Sequence, residues 1–444
     1  MPIDRRTFLR TTGIGAGAVL LSSGPGSVAA AAVRHRLPGY APTGTLEVWV
    51  HESPPTNELL TTLIAEYQGT YPDVSINLLP IPYADFETKA LTSTAANDGP
   101  DLVKLPSWSL ADWADKGLLV PLDAAVLGMD DDAAIVAAFA EGVLGGVSFE
   151  EQLYALPVDY QNLMLFYNKT HFEEAGLDPD APPATWEDIV AIGGELTRRS
   201  GDTVERAGFE WWYTTPIWVY LEVESLAAQL GGSVLNEDGT ESALGSDAGR
   251  QAIDYYVGMS AEHHVSSFEL VTVSVLDTIA DGTSSMFVSG SFSGPSLSAR
   301  TDGALSLEAG TLGVAPMPTW ADAVNDVTTA YSWGWGVTNN AADPALAGHF
   351  ARFLTEPAQA DRFYADAGVA TPYAGFAESE ATSANAGNAL LVEQVPTSVY
   401  LAQTPNFAGV MAELTTQIQA AATGQKSAEQ AVDDFDGAMR RVLR

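Results

Sequence analysis

Apolar positions along this chain follow two spacings, one typical of strands and one typical of helices. Residues 46–50 and 74–79 are short apolar runs of strand length, and between them the apolar residues of 57–71 recur every three or four positions. A strand, a helix and a strand in this order predict a parallel pair of strands with a right-handed crossover. We therefore expect a doubly wound α/β sheet that starts at residue 46.

The same two spacings continue to the end of the chain. Thr185 and Ser246 stand where helix N-caps are expected, directly before apolar residues at helical spacing. The Glu356-Pro357 step divides a helical pair at 344–367. The other predicted helices span residues 85–96, 108–117, 186–199, 220–230, 246–259, 407–422 and 427–443, and the other predicted strands span 101–105, 285–288 and 331–338.

Residues 154–169 contain the most informative break in this pattern. Two apolar runs meet there, and Asp159, Tyr160 and Gln161 stand between them. A carboxylate, a phenol and an amide do not suit the middle of a buried strand. This point therefore predicts a crossing from one hydrophobic core to another, with a ligand site beside it.

Two further segments predict crossings of the same kind, at 313–318 and at Thr371-Pro372. Three crossings mean that each of two lobes is assembled from discontinuous pieces of the chain. Such lobes can open and close as rigid bodies around a few flexible residues. The length of 444 residues favours two domains over one ordinary core, and a hydrophobic content of 46% is enough to fill both.

Several short motifs follow the first crossing in a fixed order. They comprise a helix and a Pro-rich turn over 171–189, a Gly231-Gly232 pair with an Asp238-Gly239 turn, and then residues 280–290 and 350–355. Their order and spacing resemble those of the bacterial extracellular solute-binding proteins of ABC importers, specifically the sugar-binding group that includes maltose-binding protein. The resemblance covers nearly the whole chain after the first 45 residues.

That resemblance implies an α/β fold of the two-lobed periplasmic binding protein type (type II). Each lobe would be a doubly wound mixed sheet flanked by helices, and a multi-crossing hinge would join them. The N-terminal lobe would comprise residues 45–157 plus about 328–370, and the C-terminal lobe 158–327 plus about 371–444. The implied function is that of a monomeric substrate-binding protein that captures a carbohydrate, such as an oligosaccharide, and delivers it to the permease subunits of an ABC transporter.

The first 32 residues predict a signal peptide for export by the twin-arginine route. Arg5 and Arg6 precede a weakly apolar, Gly- and Ala-rich run over 13–21 and small residues over 27–32. Residues 33–44 predict a linker. We expect a soluble protein in the periplasm or outside the cell. Since the chain has no cysteine, we expect neither disulfides nor a lipobox cysteine.

The charge of the chain is strongly negative, with 57 acidic and 20 basic residues and a formal net charge of −37. A chain of this charge repels nucleic acids and anionic membrane surfaces, so we expect no nucleic-acid partner. The charged residues are spread without long runs, which favours a solvated surface over a site for cations.

The candidate binding residues are aromatic and polar side chains near the predicted crossings and strand ends. A sugar presents faces of C–H bonds ringed by hydroxyl groups, so flat rings and carboxylates together suit a carbohydrate pocket, although any one tryptophan could equally fill a core. Alternation along 331–338 would place Tyr331, Trp333 and Trp335 on one face, with Gly334 and Gly336 leaving room on the other. The candidates are Asp159, Tyr160, Trp333, Trp335, Trp211, Trp212, Tyr213, Phe292, His51, Glu52 and Trp108, with Trp218 and Tyr331 in the same aromatic clusters.

Two other functions stay open at this point. A polyamine or other cationic-solute binding protein is compatible with the acidic composition, and a glycoside hydrolase would need two carboxylates facing each other across the cleft. Enzyme motifs are incomplete, because residues 290–294 have Phe292 where a nucleophile elbow has serine, and His51-Glu52 lacks the second histidine of a zinc-protease motif. We expect no catalytic activity, no cofactor and no metal site.

Overall fold

A computed structural model describes residues 41–443 of the chain, apart from residues 141, 202, 271–273 and 384–385. The predicted signal peptide at 1–32 and residues 33–40 of the predicted linker lie outside the described residues. In the part of the chain that the structure describes, no helix has both the length and the apolar character needed to cross a lipid bilayer.

Strands and helices alternate through the described residues much as the apolar spacing predicts. The strands are β1 (Gly44–His51), β2 (Val74–Ile81), β3 (Leu102–Pro106), β4 (Ser148–Phe149), β5 (Gln152–Leu153), β6 (Ala155–Pro157), β7 (Gln161–Asn162), β8 (Met164–Asn168), β9 (Arg198–Ser200), β10 (Thr203–Arg206), β11 (Met286–Ser289), β12 (Leu312–Pro316), β13 (Thr328–Tyr331), β14 (Trp333–Val337) and β15 (Ser398–Tyr400).

The helices fill the intervals between these strands and most of the C-terminal region. The α-helices are α1 (Pro54–Thr70), α2 (Tyr83–Ala95), α3 (Ser107–Asp115), α4 (Ala124–Leu127), α5 (Asp132–Ala138), α6 (Lys169–Ala175), α7 (Trp186–Leu196), α8 (Pro216–Gln229), α9 (Asp247–Ala261), α10 (Val275–Ala280), α11 (Ser293–Arg300), α12 (Pro344–Thr355), α13 (Pro357–Ala367), α14 (Glu380–Ser383), α15 (Ala386–Gln394), α16 (Phe407–Ala422) and α17 (Ala428–Val442). Short 3-10 helices span Val143–Val147, Phe376–Glu378 and Val395–Thr397.

The first lobe is built around a sheet with the strand order β2-β1-β3-β14-β6. β1 is parallel to β2 and to β3, and α1 connects β1 to β2, which confirms the predicted crossover unit. β14 is antiparallel to both of its neighbours. Every residue of β3, β6 and β14 is buried, because helices α1, α2, α3 and α12 pack against this sheet.

The second lobe is built around strands β8 and β13. β8 lies between β11 and β12 and is antiparallel to both, and β13 is antiparallel to β7 and parallel to β15. Helix α8 packs against β13, α9 and α16, and its residues 217–229 are all buried. A helix that is buried on every side needs internal partners for its polar residues, and α8 carries buried Glu222 and Glu224.

The strand predicted at 331–338 is in fact two strands in different sheets, and the break falls at Ser332. At the break, the Asp159 carboxylate accepts a hydrogen bond from the Trp333 N–H at 2.5 Å. In a continuous strand, the Trp333 N–H would donate to the backbone of a neighbouring strand, but here it donates to the Asp159 side chain. The prediction that Tyr331 shares a strand face with the two tryptophans of β14 is therefore wrong.

Segments from three parts of the chain run side by side where the lobes meet. The Val158 N–H donates to the Trp333 carbonyl at 2.8 Å, and the Thr371 hydroxyl donates to the Val158 carbonyl at 2.8 Å. The first and third predicted crossings fall on these segments and stay predictions. Residues 313–316 belong to β12, which pairs with β8 along its whole length, whereas the chain changes sheets at the break before β14.

Candidate functional site

A row of aromatic side chains leads from the first lobe to the second. The Trp333 ring centroid lies 4.4 Å from that of His51 and 5.4 Å from that of Trp108. Trp108 is in turn 6.0 Å from Tyr331, and Tyr331 is 5.7 Å from Trp218. The rings meet in tilted or edge-to-face arrangements, which the quadrupoles of aromatic rings favour.

Trp212 and Phe292 extend the row in the second lobe. Trp212 stacks on Trp218 with ring centroids 4.7 Å apart and an angle of 18° between the ring planes, and Phe292 lies 5.8 Å from Trp218. The Trp212 indole N–H donates to the Val288 carbonyl at 3.1 Å, which holds the ring in one orientation. We call the following residues the aromatic row: His51, Trp333, Trp108, Tyr331, Trp218, Trp212 and Phe292.

The secondary structure explains why the rings of the first lobe meet. His51 is the last residue of β1, and Trp108 stands in the first turn of α3, directly after β3. β1 and β3 are parallel, so their carboxyl ends share one edge of the sheet, where ligands of α/β sheets bind. Trp333 begins the antiparallel strand β14 at the same edge, opposite Pro106.

Asp159 lies beside the row and is only 8% exposed. One of its oxygens accepts the Trp333 N–H, as described above. Burial raises the pKa of Asp159 to about 6, although Lys104 and the hydrogen bond from Trp333 both act to lower it. The other oxygen accepts no hydrogen bond from the described residues, so it can accept one from a ligand.

Lys104 is a positive charge in the middle of the buried strand β3. Its residue is 4% exposed, and its Nζ atom lies 5.5 Å from the centroid of the Trp333 ring. Burial lowers the pKa of Lys104, while the Asp159 carboxylate raises it. We did not predict this residue from the sequence. The signal that could have found it is a lysine at the centre of an apolar strand, where a charge is costly without a function or a partner.

Polar groups of the first lobe also determine the charge of the His51 ring and the orientation of the Trp108 ring. Burial, assisted by the charge of Lys104, lowers the pKa of His51 to about 2, so its imidazole is neutral at ordinary pH. The Glu87 carboxylate accepts the Trp108 indole N–H at 3.2 Å and also the Ser109 hydroxyl. Burial raises the pKa of Glu87, and these two hydrogen bonds lower it. Glu87 thus orients Trp108, and it too was missed in the sequence.

Three of the predicted aromatic candidates are fully buried in cores and are not part of the row. Trp211 stacks on Tyr256 with centroids 4.6 Å apart and ring planes 12° apart. The Tyr213 hydroxyl donates to the Ser266 hydroxyl at 3.1 Å inside the second lobe. Trp335 is buried in the first sheet, where it lies opposite Lys104 in the antiparallel pairing of β14 with β3. Their positions support structural roles.

Two other candidates lie apart from the row as well. Tyr160 is buried and packs edge-on against Tyr400, with ring centroids 6.0 Å apart. Glu52 is exposed just beyond the end of β1. The structure thus brings together His51, Trp108, Asp159, Trp212, Phe292 and Trp333 from the predicted set, and a role in ligand binding stays a prediction for each of them.

The expected free space beside the β14 glycines is absent. A Cβ atom on Gly334 would lie 2.8 Å from the Cβ atom of Ala155, and one on Gly336 would lie 2.7 Å from Leu105 Cδ2. These glycines allow neighbouring strands and side chains to pack closely, so the prediction of room for a ligand there is wrong.

A surface cavity of about 280 Å³ lies elsewhere in the second lobe, lined by residues that include His171 and Asp281. It contains no member of the aromatic row. His171 contacts Asn168 at 3.3 Å and Ser285 at 3.0 Å, so both of its ring nitrogens already have protein partners. We therefore place the candidate site at the aromatic row and not at this cavity.

Comparison with known families agrees with this architecture. Residues 53–361 match the model of the family described as bacterial extracellular solute-binding protein. The chain belongs to this family. The matched region contains Lys104, Asp159 and Trp333, so the junction of the lobes lies within the part that defines these solute-binding proteins.

Curated members of the solute-binding proteins match only part of the chain. A binding protein of Brucella abortus is 26% identical over 202 residues, which are 44% of this chain and 44% of that protein. A maltotriose-binding protein of Pyrococcus abyssi is 24% identical over 202 residues, 46% of this chain and 40% of that protein. The matches thus span less than half the length of these relatives.

Solved structures of solute-binding proteins match nearly the whole chain. An ABC transporter solute-binding protein from Thermotoga lettingae, bound with α-D-tagatose, has a TM-score of 0.79 at 20% identity and covers 90% of this chain and 100% of its own. The cyclic α-maltosyl-1,6-maltose binding protein from Arthrobacter globiformis has a TM-score of 0.75 at 22% identity, covering 90% and 99%. These likenesses confirm the predicted two-lobed α/β fold.

Proposed function

We propose that this chain is an extracytoplasmic substrate-binding protein that captures a carbohydrate between its two lobes and delivers it to the permease of an ABC transporter. The aromatic row carries the proposal, because it brings flat apolar rings of both lobes to one place. Asp159 and Lys104 add an acceptor and donors for hydroxyl groups beside Trp333. Rings and charged hydrogen-bonding groups in this combination suit a sugar.

The names of one curated relative and of the structural neighbours support a carbohydrate. The Pyrococcus abyssi relative is a maltotriose-binding protein, and structural neighbours are described with tagatose, cyclic maltosyl-maltose and mannotriose. We infer an oligosaccharide as the ligand, since the row extends over rings from both lobes and several of these proteins are named for oligosaccharides. We also propose that the protein binds this carbohydrate without reacting with it.

Closure of the lobes would follow from the position of the row. A ligand that contacts Trp333 in the first lobe and Trp218 in the second favours the closed arrangement by the free energy of those contacts. We retain residues 45–157 and 158–327 as the main parts of the two lobes. The pairing of β13 with β7, and of β14 with β3, supports placing the second exchange between the lobes at Ser332.

The cellular setting is also proposed. We infer export by the twin-arginine route from Arg5 and Arg6 and the residues that follow them. The protein would act as a monomer outside the cytoplasm and present its closed, loaded form to the permease subunits in the membrane. Membership of the extracellular solute-binding family supports this role.

A titration with sugars tests the proposal. Purified protein is heated in the presence of tagatose, maltotriose, mannotriose and related neutral sugars, and tryptophan fluorescence is recorded in parallel. A sugar present at 100 times its Kd should stabilise the protein by about 2.7 kcal/mol and raise its Tm accordingly. If no member of a broad panel changes either the Tm or the fluorescence, the proposal is wrong.

The same titration separates the two alternative functions. A polyamine receptor would respond to spermidine, but the buried positive charge of Lys104 beside Trp333 works against a cation in the row. A glycoside hydrolase would release shorter products from the oligosaccharides. We expect no response to spermidine and unchanged oligosaccharides after long incubation, as measured by chromatography.

A further inference from the structure

Lys104 is a buried cation whose hydrogen-bonding capacity the fold does not use. Its side chain leaves the middle of β3, is almost fully buried, and reaches to 5.5 Å from the Trp333 ring centroid. Among the described residues, no acceptor atom forms a hydrogen bond with its ammonium group. The Asp159 carboxylate attracts this ammonium electrostatically, but the two groups are farther apart than the 4.0 Å that defines an ion pair.

Both charges beside Trp333 therefore have unused hydrogen-bonding capacity in the described residues. An ammonium group has three N–H donors, and that of Lys104 uses none of them within the described residues, although its atom is not among those that the fold encloses completely. Asp159 uses one oxygen for the Trp333 N–H, and its second oxygen receives nothing from the part of the chain that the structure describes. Such a pair is complete only when a bound molecule supplies an acceptor to Lys104 and a donor to Asp159.

A hydroxyl group has both properties, because its oxygen accepts and its hydrogen is donated. Two neighbouring hydroxyls of a sugar ring can satisfy the ammonium and the carboxylate together. A cationic ligand group would meet a like charge at Lys104 and an anionic group would meet one at Asp159, so this pair of opposite charges gives neither kind of ion a net attraction. The pair thus favours an uncharged polyhydroxyl compound.

We propose that Lys104 is a specificity-determining residue, which together with Asp159 binds hydroxyl groups of a sugar ring lying against Trp333 and excludes cationic solutes. This inference rests on the proposed function and adds to it the chemical class of the ligand group at this point of the site. It also explains why a lysine stands in an otherwise apolar strand.

A purely structural role for Lys104 makes different predictions. If the lysine only balances the charge of Asp159, its replacement would alter the stability of the unliganded protein and leave sugar affinity nearly unchanged. If it binds the ligand, its replacement by an apolar side chain of similar length would weaken binding and would not destabilise the unliganded protein, because a buried charge without partners is removed.

The test compares Lys104→Met with a matched control, Lys89→Met. Lys89 also lies 5.5 Å from a tryptophan ring, that of Trp49, but it is exposed and outside the aromatic row. Affinities of both variants and of the unaltered protein are measured by calorimetry with maltotriose, mannotriose and tagatose, and with spermidine as the cationic probe. Their melting temperatures are measured without ligand.

We expect Lys104→Met to weaken binding of the neutral sugar about 10- to 100-fold, as is typical for loss of a hydrogen bond to a charged group, and Lys89→Met to change it less than about twofold. Equal affinities of Lys104→Met and the unaltered protein would overturn this inference and leave the proposed function intact. Absence of binding by the unaltered protein across the panel would overturn the proposed function, and this inference with it.

Deoxy sugars provide a second measurement that does not depend on the folding of Lys104→Met. Each hydroxyl of the best-binding sugar is replaced in turn by hydrogen, and affinity for the unaltered protein is measured. At least one deoxy analogue should bind about 10- to 100-fold more weakly. Where Lys104→Met folds, the same analogue should make little further difference to it. If no single deoxy analogue loses affinity, the inference is wrong.

Discussion

Two aromatic regions of this protein are built from the same residue types and do different things. The aromatic row joins the lobes, whereas a second cluster, which we call the aromatic core, lies inside the second lobe. In the aromatic core, Trp211 lies 4.6 Å from Phe209 and 5.5 Å from Trp186. Both regions are tightly packed, since Trp218 in the row is only 8% exposed and Trp211 in the core is fully buried.

The polar groups around the rings distinguish the two regions. Near the aromatic core, the Glu222 carboxylate accepts the Trp212 N–H and the Tyr256 hydroxyl, and the Glu210 carboxylate accepts hydrogen bonds from Ser266 and from the backbone of the next residue. Each of these carboxylates thus receives at least two hydrogen bonds.

In the row, by contrast, Asp159 receives one hydrogen bond and Lys104 makes none with the described residues. Burial of rings alone therefore does not identify a binding site. The aromatic core also leaves polar atoms without partners, such as Glu210 Oε2, but it encloses them completely. The row differs because opposite charges with unused hydrogen-bonding capacity lie beside its rings and are not completely enclosed.

The largest difference should appear when a ring is removed from each region. Trp211→Ala leaves a cavity in a fully buried core and should lower the free energy of unfolding by about 3–5 kcal/mol. The measurement is urea denaturation of the unliganded protein. Sugar affinity of the folded fraction should stay close to that of the unaltered protein, and a large loss of affinity would show that the two regions are not separate in function.

Removal of a ring from the row should have the opposite effect, with a larger loss of sugar affinity than of unfolding free energy. We expect Trp218→Ala to weaken sugar binding by roughly 2 kcal/mol or more, because it removes the second-lobe ring that we propose to contact the ligand. Its effect on the unfolding free energy should be smaller than that of Trp211→Ala. Calorimetry with the sugar found in the titration gives the affinity. Unchanged binding would contradict the assignment of the row.

A glycine substitution tests whether the space beside Trp333 and Trp335 is filled. Gly334→Ala would force its Cβ atom into Ala155 and should lower the unfolding free energy by about 1–3 kcal/mol. Gly437→Ala is the matched control, since it stands in helix α17 and no atom lies within 4 Å of the position that its Cβ atom would take. The control should stabilise the protein by up to about 1 kcal/mol. A Gly334→Ala variant as stable as the control would restore the prediction of free space.

The smallest predicted effect concerns pH and separates the carboxylates of the two regions. Burial raises the pKa of Glu210 to about 8 in the folded protein, so the stability linked to its proton is present at low pH and is lost as the pH rises toward 8. Glu210→Gln keeps a hydrogen-bond acceptor and removes this titration. Relative to the variant, the unaltered protein should lose roughly 1 kcal/mol between pH 7 and pH 8, as measured by denaturation.

The difference between the two proteins is the proper readout for this prediction. Burial lowers the pKa of His51, His171 and His349, so these side chains oppose the carboxylates by costing stability as the pH falls below about 6.5. They are the same in both proteins and cancel in the comparison. A difference curve that is flat with pH would show that Glu210 has no raised pKa. Asp159→Asn provides the same comparison for the row at about pH 6.

Features that depend on neighbouring residues were predicted correctly from the sequence. Thr185 caps its helix by accepting the Asp188 N–H at 3.1 Å, and Ser246 accepts the Gly249 N–H at 3.2 Å. The parallel pair of β1 and β2 is also as predicted. Capping and strand–helix alternation arise within a few residues of the chain, so their signals are present in the local sequence.

Features that depend on distant residues were predicted less well. The break at Ser332 requires Asp159, which is far away in the chain, to accept the Trp333 N–H. The role proposed for Lys104 depends on the same two residues, because the lysine lies near the Trp333 ring and interacts electrostatically with Asp159. For tryptophans, the sequence could not separate Trp211 from Trp212, because adjacent rings of the same type point into a core and toward the row.

The amino-acid sequence by itself determined the fold class, the caps, the order of elements and the kind of residues available for a sugar site. These follow from apolar spacing and local hydrogen bonding, which act over one or two turns of chain. Only the tertiary structure decided which rings form the row, that Ser332 divides β13 from β14, and that Lys104 is buried beside Asp159. The reason is physical: burial and electrostatic partnership are properties of residues brought together from distant parts of the chain.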